Sequence, residues 1–230
     1  MAEKRKALEK FRTPKGTAVY PQLSKPDTKF KADGEYTAKI RLSEEDAAPM
    51  KAKIDAAIEA LFKSEKARLM ADSDPETKAK SRVKAKELKY AEKPYKMTVD
   101  KEGEETGEVE FNIKMKAQYT DKKTGNVVKL VPQLFDAATP PNPLPLSTQI
   151  WGGSIIKVAG EYNPFATALG VGMSLRLKAV QVIKQVSGSS GDASSFGFGG
   201  EEGGFEAEGS EFNSESGEGT TEAPEGDEEF

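Results

Sequence analysis

The last 44 residues, Ser187 to Phe230, hold no Lys or Arg. Thirteen of them are acidic, and most of the rest are Gly or Ser. Such a segment has too little apolar mass to offset the entropy of ordering a chain. Disorder is therefore expected over residues 187–230, and any packed core must come from residues 1–186. That length suffices for one core. The charge divides at the same place. The chain carries 34 basic and 38 acidic residues, a net of −4. Removing the 13 acidic residues of the tail leaves 25 against 34, so the body carries about +9.

Composition excludes several kinds of chemistry. The chain has neither Cys nor His. Disulfides, thiolate or imidazole metal sites and His-based acid–base catalysis are therefore ruled out. No compact Asp/Glu cluster stands in the body, so no metal and no cofactor are expected. No apolar run approaches the roughly 20 residues of a membrane span. The start, Met-Ala-Glu-Lys-Arg-Lys, has no apolar segment behind it and does not read as a secretory signal. A soluble intracellular protein is expected. A basic body suits a polyanion such as nucleic acid.

The body opens on a basic arm over residues 1–16, with Lys4, Arg5, Lys6, Lys10, Arg12 and Lys15. It reads either as a set of phosphate contacts or as a frayed terminus. A short strand is expected over Thr17–Gln22, then a turn at Asp33-Gly34. Next, Tyr36, Ala38, Ile40 and Leu42 alternate with Glu35, Thr37, Lys39 and Arg41, the pattern of a half-buried strand. Met50, Ile54, Ala57, Ile58, Leu61 and Phe62 then recur at helical spacing, with Pro49 expected in the first turn. Pro75–Glu87 reads as a second, weakly amphipathic helix. Its Lys78, Lys80, Arg82, Lys84 and Lys86 suit phosphates, but such a run is more often a solvated face.

Period-two alternation returns with Val109, Phe111, Ile113, Met115, Ala117 and Tyr119 on one face, and Asn112, Lys114, Lys116 and Gln118 on the other. Asp121–Asn126 is expected to be a hairpin loop, with Val127–Leu134 as the returning strand. Pro140, Pro141, Pro143 and Pro145 make an extended connection that cannot lie in a central strand. Two further strands are expected, Ile155–Ala159 and Met173–Ile183, with Glu161–Phe165 in the loop between them. Five or six strands around one helical insertion predict a mainly β chain. The leading candidate is an OB-fold, a five-stranded Greek-key barrel.

Several of these strands place cations opposite a core face. Lys114 and Lys116 share a face, Lys122 and Lys123 sit in the adjoining loop, and Lys157, Arg176 and Lys178 come from later strands. Tyr119, Trp151, Tyr162 and Phe165 fall at strand ends or in loops. A groove for single-stranded nucleic acid needs both parts: cations for phosphates, and aromatic faces that stack on bases at roughly 1–3 kcal/mol each. Tyr119 also continues the apolar face, which favours a core position, and Trp151 before Gly152-Gly153 suits simple packing. Tyr162 and Phe165, flanking Pro164, are the better stacking candidates. Gly152-Gly153-Ser154 lacks the ending of a phosphate-binding loop. The tail, held close to an empty cationic groove, is expected to occupy it until nucleic acid displaces it.

The order of these features resembles the single-stranded DNA-binding proteins of T-seven-like, short-tailed bacteriophages. The likeness runs from about Thr13 to Val186. It rests on Gly16-Thr17-Ala18, Lys25-Pro26-Asp27 and the Phe-Asn-Ile-Lys and Tyr-Thr-Asp-Lys-Lys-Thr runs of Val109–Thr124. It also rests on Gly152-Gly153-Ser154 with Lys157-Val158, on Pro164-Phe165, and on Val171-Gly172, Ser174 and Leu175-Arg176-Leu177-Lys178. The acidic tail closed by Phe230 is the family's most recognisable trait. The resemblance implies an OB-fold, non-sequence-specific binding of single-stranded DNA in replication, recombination and repair, promotion of annealing, and a homodimer. It implies that the end of the tail, Asp227, Glu228, Glu229 and Phe230, contacts the phage DNA polymerase and helicase-primase in the cytoplasm of the infected host. Lys114, Lys157, Arg176 and Lys178 match basic strand positions, and Phe165 matches an aromatic beside Pro. The chain departs from the family in its helical insertion and in a tail richer in Gly and Phe. Two other readings stand beside this one: an RNA-binding OB module, and an acidic-tailed scaffold or chaperone that binds no nucleic acid. No constellation supports an enzyme.

Overall fold

The computed structural model describes residues 7–29 and 31–186. The expectations for Lys4, Arg5 and Lys6, and for the acidic segment from Ser187 to Phe230, lie outside the described residues. In chain order the elements are β1 (Lys10–Arg12), β2 (Gly16–Asp27), β3 (Glu35–Ser43), α1 (Glu44–Met70), α2 (Lys78–Glu87), β4 (Tyr95–Val99) and β5 (Glu105–Lys116). There follow β6 (Gln118–Thr120), β7 (Val127–Lys129), β8 (Gln133–Phe135), β9 (Pro143–Leu144), β10 (Ile155–Thr167) and β11 (Gly170–Lys184).

Five strands close on themselves. β2 pairs antiparallel with β3, and β3 antiparallel with β5. β5 runs parallel to β11, β11 antiparallel to β10, and β10 returns antiparallel to β2. This closed five-stranded circuit is the OB-fold. The helical insertion lies between the second and third barrel strands. Closure follows from the alternation seen in the sequence. Tyr36, Ala38, Ile40 and Leu42 of β3 face inward with Val109, Phe111 and Ile113 of β5, and all are buried. Ile156 and Val158 of β10 and Leu175, Leu177 and Val180 of β11 complete the interior. Each large aliphatic or aromatic side chain buried there contributes about 1.5–3 kcal/mol. Helix α1 packs Met50, Ile54 and Ile58 on the same core. In α2 only Ala85 is buried, and its cations face solvent.

The observed elements correct several expectations. Helix α1 begins one turn early, because Ser43 caps it: its Oγ accepts from the Asp46 amide at 3.2 Å. Pro49 therefore lies in the second turn rather than the first. The segment Glu161–Phe165 is not a loop. It belongs to β10, paired from Glu161↔Arg176 to Phe165↔Gly172, and the turn comes later, between Thr167 and Gly170. Beyond Tyr162 the described residues give β10 a neighbour on one side only, where a missing proline N–H is tolerated. Val127–Leu134 is also not one strand. β7 pairs with β6 in a separate ribbon, whereas β8 leaves to run parallel beside β11. The prolines of the following connection sit at the sheet edge, in and around β9.

Candidate functional site

In OB-folds, oligonucleotides lie across the outer surface of the second and third barrel strands. Here those strands are β3 and β5. Period two sends Glu35, Thr37, Lys39 and Arg41 of β3 outward beside Glu108, Glu110, Asn112, Lys114 and Lys116 of β5. Most cations of this face are held by its own carboxylates, with Lys116 the exception among the described residues. Glu110, almost fully buried, lies 3.9 Å from Lys39, 3.7 Å from Arg41 and 3.6 Å from Lys96. Glu108 lies 3.6 Å from Arg41. Glu35 pairs with Lys31 and, at 3.2 Å, with Lys114. Burial works to raise the Glu35 carboxyl, but hydrogen bonds from Lys31 and Lys114 outweigh it and hold it below the usual carboxylate range. These ion pairs fix the long cationic side chains over the strands instead of leaving them to sweep through solvent.

The neighbouring strand supplies the aromatic. Tyr20 of β2 stands 82% exposed and has φ +43°, the one positive-φ residue other than glycine among the described residues. The register of β2 against β3 shifts at this point, between Val19 and Gln22. A bulge of this kind re-aims a side chain and is common beside binding sites. Tyr20, Gln22, Lys31, Thr37, Lys39 and Lys114 are among the walls of a surface hollow of about 520 Å³. Behind Tyr20 lies the turn that carries Trp151, itself 48% exposed. That turn is pinned to β2 by Gly153 N–H donating to the Ala18 carbonyl at 2.9 Å and Ala18 N–H donating to Ser154 O at 2.8 Å. A Cβ at Gly152 would lie 3.6 Å from the Tyr20 nitrogen, so the two aromatic residues sit on adjoining backbone.

The residues expected from the sequence fall into separate places. Lys114 lies in this hollow, and Lys116 is exposed further along β5. Tyr119, Lys122 and Lys123 lie on the β6–β7 ribbon, which meets the barrel through Ala117 N–H to Gly34 O at 3.0 Å and Gln118 to Asp33 at 3.3 Å. The strand breaks at Ala117, so Tyr119 is 45% exposed rather than core. Arg176 of β11 is in register beside Lys114. Lys157 and Lys178 lie on the outer surface of the β10–β11 hairpin, away from Tyr20. Tyr162 offers no free ring: it is 7% exposed, packs on Phe11 at 5.0 Å and has Lys53 over its face at 5.3 Å. Phe165 is half-buried, its ring laid on Gly172. Both follow from the strand pairing that replaces the expected loop. Tyr20, Lys31 and Lys39 were not among the sequence candidates. Pro21, inside an otherwise extended run, was the available sign of a bulge.

Fold and face together define the class: an OB barrel whose strand surface carries ordered cations under exposed aromatic rings. The chain belongs to the single-stranded DNA-binding protein family of bacteriophage T7, whose family model matches residues 15–185. Among solved structures it is similar to gp2.5, a single-stranded DNA-binding protein encoded by bacteriophage T7. The identity is 21% and the TM-score 0.62, over 80% of this chain and 96% of that one. A single-stranded DNA-binding protein from bacteriophage Enc34, in complex with ssDNA, matches at 14% identity and TM-score 0.49, over 77% of this chain and 88% of that one. No curated protein matches the chain.

Proposed function

We propose that this protein binds single-stranded DNA without sequence specificity across the outer face of β2, β3 and β5. The observation that carries the reading is Tyr20, held out in a strained backbone beside Trp151 and over Lys31, Lys39 and Lys114. Aromatic faces stack on any base, and the cations follow the phosphates. Lys116, Arg176 and the β6–β7 ribbon with Tyr119, Lys122 and Lys123 extend the path at its margins. Family membership supports the same reading, and with it coating of exposed strands in phage replication, recombination and repair in the host cytoplasm. Residues 1–186 serve as the binding domain. The acidic end, Asp227 to Phe230, recruits polymerase and helicase-primase, and the working form is a homodimer.

The test is titration of the full chain with fluorescent oligo-dT, using duplex DNA and RNA of equal length as competitors. Tight binding that neither competitor displaces is expected. If about five phosphates are neutralised, log K falls against log salt with a slope near −3.5. Replacing Tyr20 and Trp151 together with Ala should weaken binding by roughly 1–3 kcal/mol per stacked base. A slope near zero, or no loss in the double variant, would overturn the reading.

A further inference from the structure

The opposite side of the barrel carries a second cationic surface, built differently. In the circuit β2-β3-β5-β11-β10, the strands β10 and β11 each lie two places from β3, so beyond Arg176, which is in register beside Lys114, their outer surface turns away from the β3 face. Strand β1 runs along the free edge of β10, and β8 runs along β11. Between these flanking strands lie two hollows of about 610 and 440 Å³. They share Arg12 and Ala159 and so run into one another. The floor is small, with Ala159 opposite Ala179 in register. Phe135 and Pro141 form one wall, and Lys10, Arg12, Lys157 and Lys178 supply the charge.

The charges differ from those of the β3 face in one respect. There, Lys31, Lys39, Arg41 and Lys114 are each paired with Glu35, Glu108 or Glu110, and Lys116 alone stands without a carboxylate partner among the described residues. Here the one acid in the groove, Glu161, is taken by Lys178 at 3.4 Å. Lys10, Arg12 and Lys157 have no carboxylate partner among the described residues. The strands that carry them are nonetheless fixed. Phe11, between Lys10 and Arg12, is buried against Tyr162, which anchors β1 and turns its two neighbours outward. A row of uncompensated cations on anchored strands, over a floor of alanines, complements a phosphate backbone. The ring in its wall, Phe135, is half-buried and does not stand out as Tyr20 does.

We infer that this groove is a second phosphate track, which holds the backbone of a second single strand while the Tyr20 face holds the first. The inference goes beyond the proposed function and rests on it only for the location of the first strand. One protein molecule then bridges two strands that share no complementarity.

The test uses the full-length protein and two oligo-dT strands, one carrying a donor dye and the other an acceptor. Energy transfer between them reports bridging, and quenching of Trp151, the chain's single tryptophan, reports the first strand. The decisive variant is the triple Lys10→Glu, Arg12→Glu, Lys157→Glu, which leaves the Lys178–Glu161 pair intact. It should lose the transfer yet keep first-strand affinity within about twofold at physiological salt, where charges beyond ~8 Å are screened. Duplex DNA should compete for bridging and leave the tryptophan quenching unchanged, because a backbone track does not read unpaired bases. Three results would overturn the inference. Undiminished transfer in the triple variant would place the two strands on a dimer. Loss of quenching together with transfer would make the groove part of the first track. Absence of transfer in the unaltered protein at every salt concentration, with quenching intact, would mean that the groove takes something else, the acidic segment of the chain included. Absence of quenching in the unaltered protein would instead strike the first-strand reading.

Discussion

Tyr20 shows how a single residue records a compromise between folding and binding. A bulky side chain at φ +43° costs of order 1–3 kcal/mol, and with 82% exposure the ring recovers little of that through burial. Substituting Gly removes the strain, whereas Ala keeps it and also loses the ring. Tyr20→Gly should therefore melt no lower than Tyr20→Ala, although Gly is ordinarily the worse strand residue. Both variants should lose oligo-dT affinity alike, by roughly 1–3 kcal/mol; melting curves and binding titrations on the pair check this. The position was hard to read in the sequence, because a bulge is defined against the partner strand and period two is a local signal. The same limit explains Tyr162. Beside a proline it looked like a loop residue, but pairing with β11 and the ring of Phe11 made it core. Lys114, in contrast, was legible, because alternation with Ile113 and Met115 fixes which side it takes.

Among the elements, α1 and β3 meet at Ser43, where period two gives way to 3.6. The Ser43 hydroxyl takes the Asp46 amide, and Glu44, Glu45 and Asp46 add negative charge at the helix start. Ser43→Ala should cost about 1 kcal/mol, measurable as a lower denaturant midpoint with an unchanged slope. At the other end of β3, Glu35 ties the incoming turn to β5 through Lys31 and Lys114. Its folded pKa is lowered, so its contribution to stability is complete above the unfolded value of about 4.3 and disappears as pH falls through the folded one. Stability should therefore decline on acidification through that window, and Glu35→Gln should flatten this part of the profile. The same variant frees two cations for phosphate and should tighten oligo-dT binding with a steeper salt slope. The helix and both long central strands were visible from their periodicity. Strands β1, β4 and β8 were not, since segments of three to five residues carry too few alternations to stand out.

For the whole molecule, the barrel was legible because its inward residues form alternating runs, unbroken in β3 and β5 and interrupted in β11 only by the bulge between Leu177 and Val180. The site was only half legible: charge and aromatic content pointed to nucleic acid, but chain order could not show that Lys157 and Lys114 lie on different sides. How the barrel closes has a further meaning, for the route by which the chain reaches its native state. The β10–β11 hairpin joins consecutive strands from Thr167↔Gly170 to Ile155↔Lys184, whereas the seam between β2 and β10 rests on Thr17↔Ile155 and Gly16↔Ile156. A local hairpin closes a short loop, but the seam must bring together positions nearly the length of the body apart, so it should form late on the pathway. Weakening the hairpin, as by Leu177→Ala, should chiefly slow refolding. Gly16→Ala, whose Cβ would meet the Arg41 carbonyl at 2.5 Å, should chiefly hasten unfolding. Stopped-flow chevrons would separate the two, and the seam would then set the lifetime of the closed barrel.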